Sequence, residues 1–491
     1  MMKKLKSLVV ALFFPLLAFA QAPDTTSAPK LLTLEDALRV ALSENASVKV
    51  ADMEIERTGY ARKGTYASLF PQVSGSGSYQ RTIKKQVMYM DFDMGGALGG
   101  GDDAASDAGA DVGSGNAAAG GAPAGGASGG GFEVGRWNTW SAGISAAMPL
   151  VNVQLWKSLK ISDEDVELAV EKARSSRLET VTQVKQAFFA CLLAREAFAV
   201  YRSVYENAVE NLEQTQKKYN AQRASELDLT RARTAVANAV PNVYDAESSV
   251  ILALWRLKAV MGVDLDENID VAGALGDHAQ EMSSYDGDGL TLENNSSLRQ
   301  LAIQAEQLAN AVRVQQYAYL PTLALSFNYS LNAMTNDFNF SEYRWSPYSF
   351  IGLSLSIPIF SGGQRLNAVR QARVQAAELD IQRIEAERQL KIAIRQYLNQ
   401  METANKSLGS ARSALETAQK AYDIAAKSYA VGRSTLTDLN DAQLALTQSQ
   451  LAVSQAVYNY VVAKSSLEGT LGADFADAGG RIQMKNTYDN E

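Results

Sequence analysis

Pro321-Thr-Leu-Ala-Leu-Ser-Phe-Asn-Tyr-Ser-Leu331 alternates residue by residue, with Leu323, Leu325, Phe327, Tyr329 and Leu331 on one side and Thr322, Ala324, Ser326, Asn328 and Ser330 on the other. A period of two marks a strand with one apolar and one polar face. Downstream, Ile351, Leu353, Leu355 and Ile357 alternate with Phe350, Gly352, Ser354 and Ser356 before Pro358, which supplies the returning strand. The same arrangement occurs earlier: Val73, Gly75, Gly77 and Tyr79 oppose Gln72, Ser74, Ser76 and Ser78, and Trp140, Ala142, Ile144, Ala146 and Met148 follow. Strands of about ten residues with this alternation fit a transmembrane barrel, whose outer face meets lipid and whose inner face meets water. Trp137, Trp140, Tyr343, Trp345 and Tyr348 lie near strand starts, where an interfacial aromatic girdle belongs. The other reading of this pattern is the edge of a soluble β-sandwich.

The chain is written twice. Asn45-Ala-Ser-Val aligns with Asn295-Ser-Ser-Leu, and Phe70-Pro71 with Leu320-Pro321, at an offset of 250 residues. Further on, Tyr219, Arg223, Asp228 and Gly262 repeat as Tyr429, Arg433, Asp438 and Gly472 at an offset of 210. The first hairpin carries about 41 residues more than the second, coinciding with a Gly/Ala/Asp tract at about 95–131 that has little to bury. Bacterial barrels place long loops outside the cell, which would orient the helices toward the periplasm.

Lys3, Lys4 and Lys6, the apolar run Leu8 to Ala18 and Ala18-Phe19-Ala20 read as an export leader over residues 1–20. No cysteine follows the cleavage point to carry a lipid, and no later apolar stretch reaches the ~18 residues of a transmembrane helix. Integral membrane placement would then require a β-barrel. The net charge of −8, or −11 without the leader lysines, argues against a nucleic-acid partner. One cysteine, Cys191, in an apolar helical stretch, and one histidine, His278, leave no metal site, nucleophilic pair or triad to build, and no cofactor motif is present. A secreted enzyme would need a polar constellation that the sequence does not contain.

Between the hairpins lie helices too long for a globular domain. Leu366 to Tyr429 contains no proline and is dominated by Ala, Gln, Glu, Lys and Arg, which predicts one helix of roughly 95 Å. Leu408, Ala411, Leu415, Ala418, Tyr422, Ala425 and Tyr429 follow 3,4 spacing, as do Phe198 to Tyr219 in the first copy and Leu439 to Leu467 on the return. These heptads alternate large and small side chains, as knobs-into-holes packing requires. An ordinary coiled coil satisfies them, and so does a helical tube continuing a barrel. Pro241 interrupts the first return helix, where a kink or break is expected. Leu34 to Leu42, Ala46 to Ala67 and Leu298 to Tyr317 are further helices, which with the connector could form a belt.

The predicted order is a leader at 1–20, N-terminal helices at 21–70, a first β-hairpin at 71–149, a helical hairpin at 150–262 with its tip at 220–227, and a connector at 263–291. The second copy repeats this with a helix at 292–320, a β-hairpin at 321–359 and a helical hairpin at 360–472 with its tip at 430–435, before a tail at 473–491.

The tips hold the candidate site. In Tyr429-Ala-Val-Gly432-Arg433-Ser434-Thr435-Leu-Thr-Asp438-Leu-Asn-Asp441, Gly432 can end the rising helix in the left-handed conformation. Thr435 with Asp438, and Ser225 with Asp228, fit capping boxes. Capping accounts for Asp228 and Asp438 without further function. Asp441 is not needed for the cap and shares a helix face with Asp438. Repeated around a symmetric pore, such carboxylates would favour cations over anions.

Leu32-Thr-Leu-Glu-Asp-Ala-Leu38, Leu69-Phe-Pro71, Tyr319-Leu-Pro321, Ile357-Pro-Ile-Phe-Ser-Gly362 and the tip from Tyr429 to Gln443, in this order and duplicated, resemble the TolC-like outer-membrane efflux protein family over about 32–474. The resemblance implies a mixed membrane β-barrel and α-barrel: a homotrimer in outer-membrane lipid, with four strands per chain in a shared twelve-stranded barrel continued by a periplasmic helical barrel. It implies a passive exit duct rather than an enzyme, in a tripartite efflux or type I secretion system. A periplasmic adaptor, or membrane fusion protein, would dock on the tips, for which Arg223, Ser225, Gly432, Ser434 and Thr435 are candidates, and an inner-membrane pump would supply energy. By position Tyr429 and Asp228 match a pair that holds the family's tunnel closed, and Asp438 and Asp441 match its acidic constriction. The family's tip arginine aligns with Ser434, one residue after Arg433. The contrasting reading is a periplasmic coiled-coil structural or adaptor protein without a channel.

Overall fold

The computed structural model describes residues 30–88, 132–280, 282 and 290–472. The predicted leader at 1–20, the inserted tract at 95–131 and the tail at 473–491 lie outside them. In chain order the elements are β1 (Lys30–Leu32), α1 (Leu34–Glu44), α2 (Ala46–Ala67), β2 (Gln72–Arg81), β3 (Gln86–Met88), β4 (Phe132–Val134), β5 (Asn138–Val151), α3 (Val153–Asn220) and α4 (Glu226–Met261). They continue with β6 (Ile269–Val271), α5 (Ser296–Tyr317), β7 (Thr322–Thr335), β8 (Ser346–Ser356), α6 (Gln364–Ala430) and α7 (Leu436–Leu471). The chain divides into two units, residues 63–159 with 313–368, and the remainder.

The first unit is built on an antiparallel sheet in the order β2-β5-β7-β8. Its register sets Tyr79, Trp140 and Ala333 in one row, and Ala146, Phe327 and Ile351 in another. One face of the sheet is therefore apolar, and its side chains stand open in the single chain, with Val73 68%, Ile351 74% and Leu353 67% exposed. The opposite face carries hydroxyls in contact across strands, Ser74 with Ser145 at 2.9 Å and Ser78 with Ser141 at 2.7 Å. Gly143 is required where β5 meets β7, because a Cβ there would lie 2.8 Å from the Tyr329 carbonyl oxygen. The short pair β3 and β4, too brief for a periodic signal, extends the first hairpin beyond the predicted strands.

The other unit is helical. α3 and α6 contain 68 and 67 residues, each about 100 Å at 1.5 Å per residue. No helix among the described residues is long and apolar enough to cross a membrane. α4 runs uninterrupted through Pro241, so of the expected kink or break the break does not occur. Pro241 and Ala237, whose carbonyl loses its helical donor, are both exposed, so water can serve that oxygen. The core gathers Phe188, Leu192, Leu257, Met261, Met401, Val457, Tyr460 and Leu467 from the four long helices. Around it β1 pairs in parallel with β6, an element of three residues per strand that no alternation could reveal. Cys191 is in this core, and burial, reinforced by the charge of Asp270, pushes its thiol up to about 12, as suits an inert packing residue.

Each repeat is closed on itself by the same joint. Asn45 accepts from the Ser47 N–H at 2.7 Å, capping α2, and donates to the Val260 carbonyl at the end of α4 at 2.6 Å. Asn295 accepts from the Leu298 N–H at 2.9 Å, capping α5, and donates to the Thr470 carbonyl at the end of α7 at 2.6 Å. Gly262 and Gly472 end α4 and α7 with φ of 76° and 68°, and a Cβ on them would lie 2.7 Å from the Glu44 oxygen and 2.1 Å from the Asn294 oxygen. The second joint also receives Arg174, which donates to the carbonyls of Asn294 at 3.1 Å and Gly472 at 3.0 Å. Asn295→Ala removes a cap and strands a carbonyl, so it should lower stability by about 2 kcal/mol, and Asn45→Ala should act alike. Thermal or denaturant unfolding of the purified variants checks this, and an unshifted midpoint for both would refute the joint's role.

Candidate functional site at the hairpin tips

Both tips end their rising helix with the same backbone closure. The N–H of Arg223 donates to the Lys218 carbonyl at 2.7 Å and that of Gln222 to Tyr219 at 2.9 Å; Arg433 donates to Ser428 at 2.8 Å and Gly432 to Tyr429 at 3.1 Å. This geometry needs a left-handed residue, supplied by Gly432 with φ 77° and, in the first copy, by Gln222 with φ 57°. The returning helices then start on capping boxes. Ser225 Oγ lies 2.7 Å from an Asp228 oxygen and accepts the Asp228 N–H at 3.1 Å, while Thr435 and Asp438 repeat the arrangement at 2.7 and 3.2 Å. The Thr435 backbone N–H and hydroxyl hold the Asp438 carboxyl below the usual carboxylate value, so it stays ionised at neutral pH.

Tyr429 is the best-held residue of the region. Only 7% exposed, it packs with Ala232, Leu436 and Leu439, and with Leu212 and Tyr422. Thr215 donates its hydroxyl proton to the Asn211 carbonyl at 2.7 Å, so in its 2.5 Å contact with Tyr429 it is the acceptor and the phenol donates. Lys218 donates to the Tyr429 carbonyl at 2.5 Å and lies 4.0 Å above its ring. Burial lowers the pKa of this lysine.

The bond expected between Tyr429 and Asp228 is not formed. Asp228 is occupied by its own cap, and the phenol turns to α3, where Thr215 and Lys218 stand ready. Neither was singled out from the sequence; their positions in the second copy hold Ala425 and Ser428, so the repeat offered no signal. Asp441 is exposed and borders a groove between α3, α4 and α7 that also contains Arg231, Asn238, Thr437 and Asn440. Arg223, Ser225, Gly432, Arg433 and Thr435 are exposed, while Ser434 is half-buried and donates to the Ala425 carbonyl at 3.3 Å.

Comparison with known proteins places the chain. The signature of the family described as outer membrane efflux protein matches residues 37–263 and 289–473. The chain belongs to this family. It is 22% identical over 345 residues to outer membrane protein TolC of Escherichia coli strain K12, covering 68% of this chain and 70% of that protein. With the alkaline protease secretion protein AprF of Pseudomonas aeruginosa it shares 27% over 288 residues, 56% of each chain. The crystal structure of the Campylobacter jejuni CmeC outer membrane channel superposes with a TM-score of 0.66 at 17% identity, over 89% of this chain and 85% of that one, which establishes a common fold. It is an outer membrane protein with the largely helical architecture of the family's channels.

Gln222 occupies a conformation that disfavours side chains bearing a Cβ, so Gln222→Gly should stabilise the first tip by up to about 1 kcal/mol. Slower hydrogen exchange of amides 219–226 is the expected readout, and faster exchange would refute it.

Proposed function

We propose that this protein is the exit duct through which a tripartite efflux or type I secretion system passes its cargo across the outer membrane. Membership of the efflux family supports the reading, and the four-stranded sheet carries it. β2 and β8 are its open edges in a single chain. In hydrocarbon an unpaired strand edge costs several kcal/mol per backbone group, so the edges must be met by neighbouring copies. Four strands are also fewer than the roughly eight of the smallest membrane barrels. Three copies would supply twelve strands, the apolar face toward lipid and the hydroxyl face toward a water-filled lumen. The helical unit would form the periplasmic part of the conduit, with a periplasmic adaptor docking on the exposed tip residues and an inner-membrane pump providing the energy.

In this duct Tyr429 is the latch, holding one helical hairpin to the other through Thr215 and Lys218, and Asp438 with Asp441 forms a charge filter. Discrete, cation-selective conductance steps in a planar bilayer from a species of three chains would support the duct; a water-soluble species without conductance would overturn it. Removing one buried hydrogen bond worth ~1 kcal/mol, Tyr429→Phe and Thr215→Val should each raise the open fraction several-fold. Open fractions like that of the original protein in both variants would remove the latch. Neutralising the filter as Asp438→Asn with Asp441→Asn should raise anion permeability, measured as a shift in reversal potential under a salt gradient; unchanged selectivity would eliminate the filter.

A further inference from the structure

The loop end of the sheet carries a feature that conduction does not use. On the apolar face, Tyr79 and Trp140 stack with ring centroids 4.3 Å apart, and residues 337–343 bring aromatic rings onto them. Phe338 lies 6.1 Å from Tyr79, Phe340 lies 4.9 Å from Trp140, and Tyr343 lies 4.8 Å from Phe340. Hydrogen bonds fix this ledge: Tyr79 donates to Asn138 at 2.9 Å, and Asn138 and Tyr343 both donate to the Asp337 carbonyl, at 3.2 and 2.8 Å. A fixed aromatic ledge ending an apolar strand face marks the depth at which hydrocarbon gives way to headgroups.

Cations are concentrated at that depth. Arg81 follows Tyr79 on the same face of β2, with its guanidinium 5.9 Å from the Phe338 ring centre, and the Lys85 ammonium stands 4.7 Å above Trp137. Lys84 and Arg136 are exposed beside them. Residues 80–88, 132–138 and 336–345 together hold five cations, Arg344 included, against three acids, Glu133, Asp337 and Glu342, in a chain where acids outnumber Lys and Arg by 54 to 46. Among the described residues none of Arg81, Lys84, Lys85 and Arg136 is paired with a carboxylate. Cations at headgroup depth, two of them held on ring faces, match phosphate oxygens, and a cation near a charged lipid surface contributes about 1 kcal/mol to attraction.

We propose that Arg81, Lys84, Lys85 and Arg136, mounted on the ledge of Tyr79, Trp140 and Phe338, form a binding collar for the phosphate groups of the phosphorylated glycolipid of the outer leaflet. The choice of leaflet rests on the duct reading, in which the helices lie in the periplasm and the strand loops outside. The collar would anchor the protein's depth and seal its rim against the surrounding lipid.

The test uses the full-length protein, purified in detergent and examined by native mass spectrometry with bisphosphorylated lipid A, enzymatically dephosphorylated lipid A and phosphatidylglycerol in parallel. Expected is retention of lipid A at least tenfold above the dephosphorylated form and above phosphatidylglycerol, falling about tenfold in the variant Arg81→Gln with Lys84→Gln, Lys85→Gln and Arg136→Gln. Restoration by lysine at position 81 and arginine at 84 and 85 would support charge rather than residue identity. Equal retention of phosphorylated and dephosphorylated lipid by the unaltered protein overturns the proposal, whether or not the variant folds. Equal or stronger retention of phosphatidylglycerol overturns the assignment to the glycolipid. Conductance of the same sample separates the two ideas: a conducting protein indifferent to lipid phosphate refutes the collar alone, whereas a non-conducting one refutes the duct.

Discussion

The structure depends on a pair of asparagines that do two jobs at once. A helix start needs an acceptor for its free N–H groups, and a helix end needs a donor for its free carbonyls. Asn45 and Asn295 supply both, each capping the helix that leads into its repeat's strands, α2 or α5, and sealing the last turn of that repeat's final helix. The left-handed glycines Gly262 and Gly472 let the two backbones approach closer than any side chain would permit. Every repeat is thereby tied end to beginning, across a long excursion through strands and helices, by one side chain and one missing Cβ. The core of Phe188, Leu257, Val457 and Leu467 lies between helices whose ends these joints hold. Long helices alone lack this fixity, since their heptads tolerate sliding by a turn.

A second constraint acts on the strands. An outer membrane protein cannot leave backbone groups unpaired in hydrocarbon, yet this chain's sheet ends in two edges, β2 and β8. In water an exposed edge and an apolar face invite aggregation, and proteins usually blunt them with charge or proline. Here β2 from Gln72 to Gln80 carries no charge or proline at all, only serines, glycines, Val73 and a tyrosine between two glutamines. An edge left undefended in this way is made for pairing, and the duct reading gives it a partner in another copy of the same sheet.

Most of this architecture was legible in the residues. The alternation after Pro321, the repeat offsets and the proline-free run from Leu366 to Tyr429 are long, periodic signals, and β7 and α6 follow them closely. What escaped was short or non-local. β1 and β6 are three residues each and pair across more than two hundred positions. Pro241 looked like a breaker because its own chemistry disfavours a helix, but its exposed side leaves the orphaned carbonyl to water. Asn45, Asn295, Gly262 and Gly472 were visible as repeated positions, while their joining into one device required the fold. At the tips the capping boxes could be read directly from Ser225-x-x-Asp228 and Thr435-x-x-Asp438.

The pair expected at the tips, Tyr429 with Asp228, rests on the family's pattern, whereas within the chain Tyr429 finds its partners on α3. Tyr219 and Tyr429 are equivalent in sequence, yet Tyr219 is 38% exposed and Tyr429 only 7%. Tyr429 meets a helix that supplies it with partners. α3 offers Thr215, whose oxygen is a ready acceptor once its proton serves Asn211, and Lys218, which takes the tyrosine's carbonyl and ring. The equivalent positions on α6 are Ala425 and Ser428, which carry neither the threonine hydroxyl nor the ammonium. Both copies keep the tyrosine, and only the first carries the threonine and the lysine that hold it. Two equivalent positions, 215/425 and 218/428, thus distinguish hairpins that are otherwise closed and capped alike. Polarity of this kind lets a single contact hold the hairpins together while the backbone closures and caps of both tips stay the same.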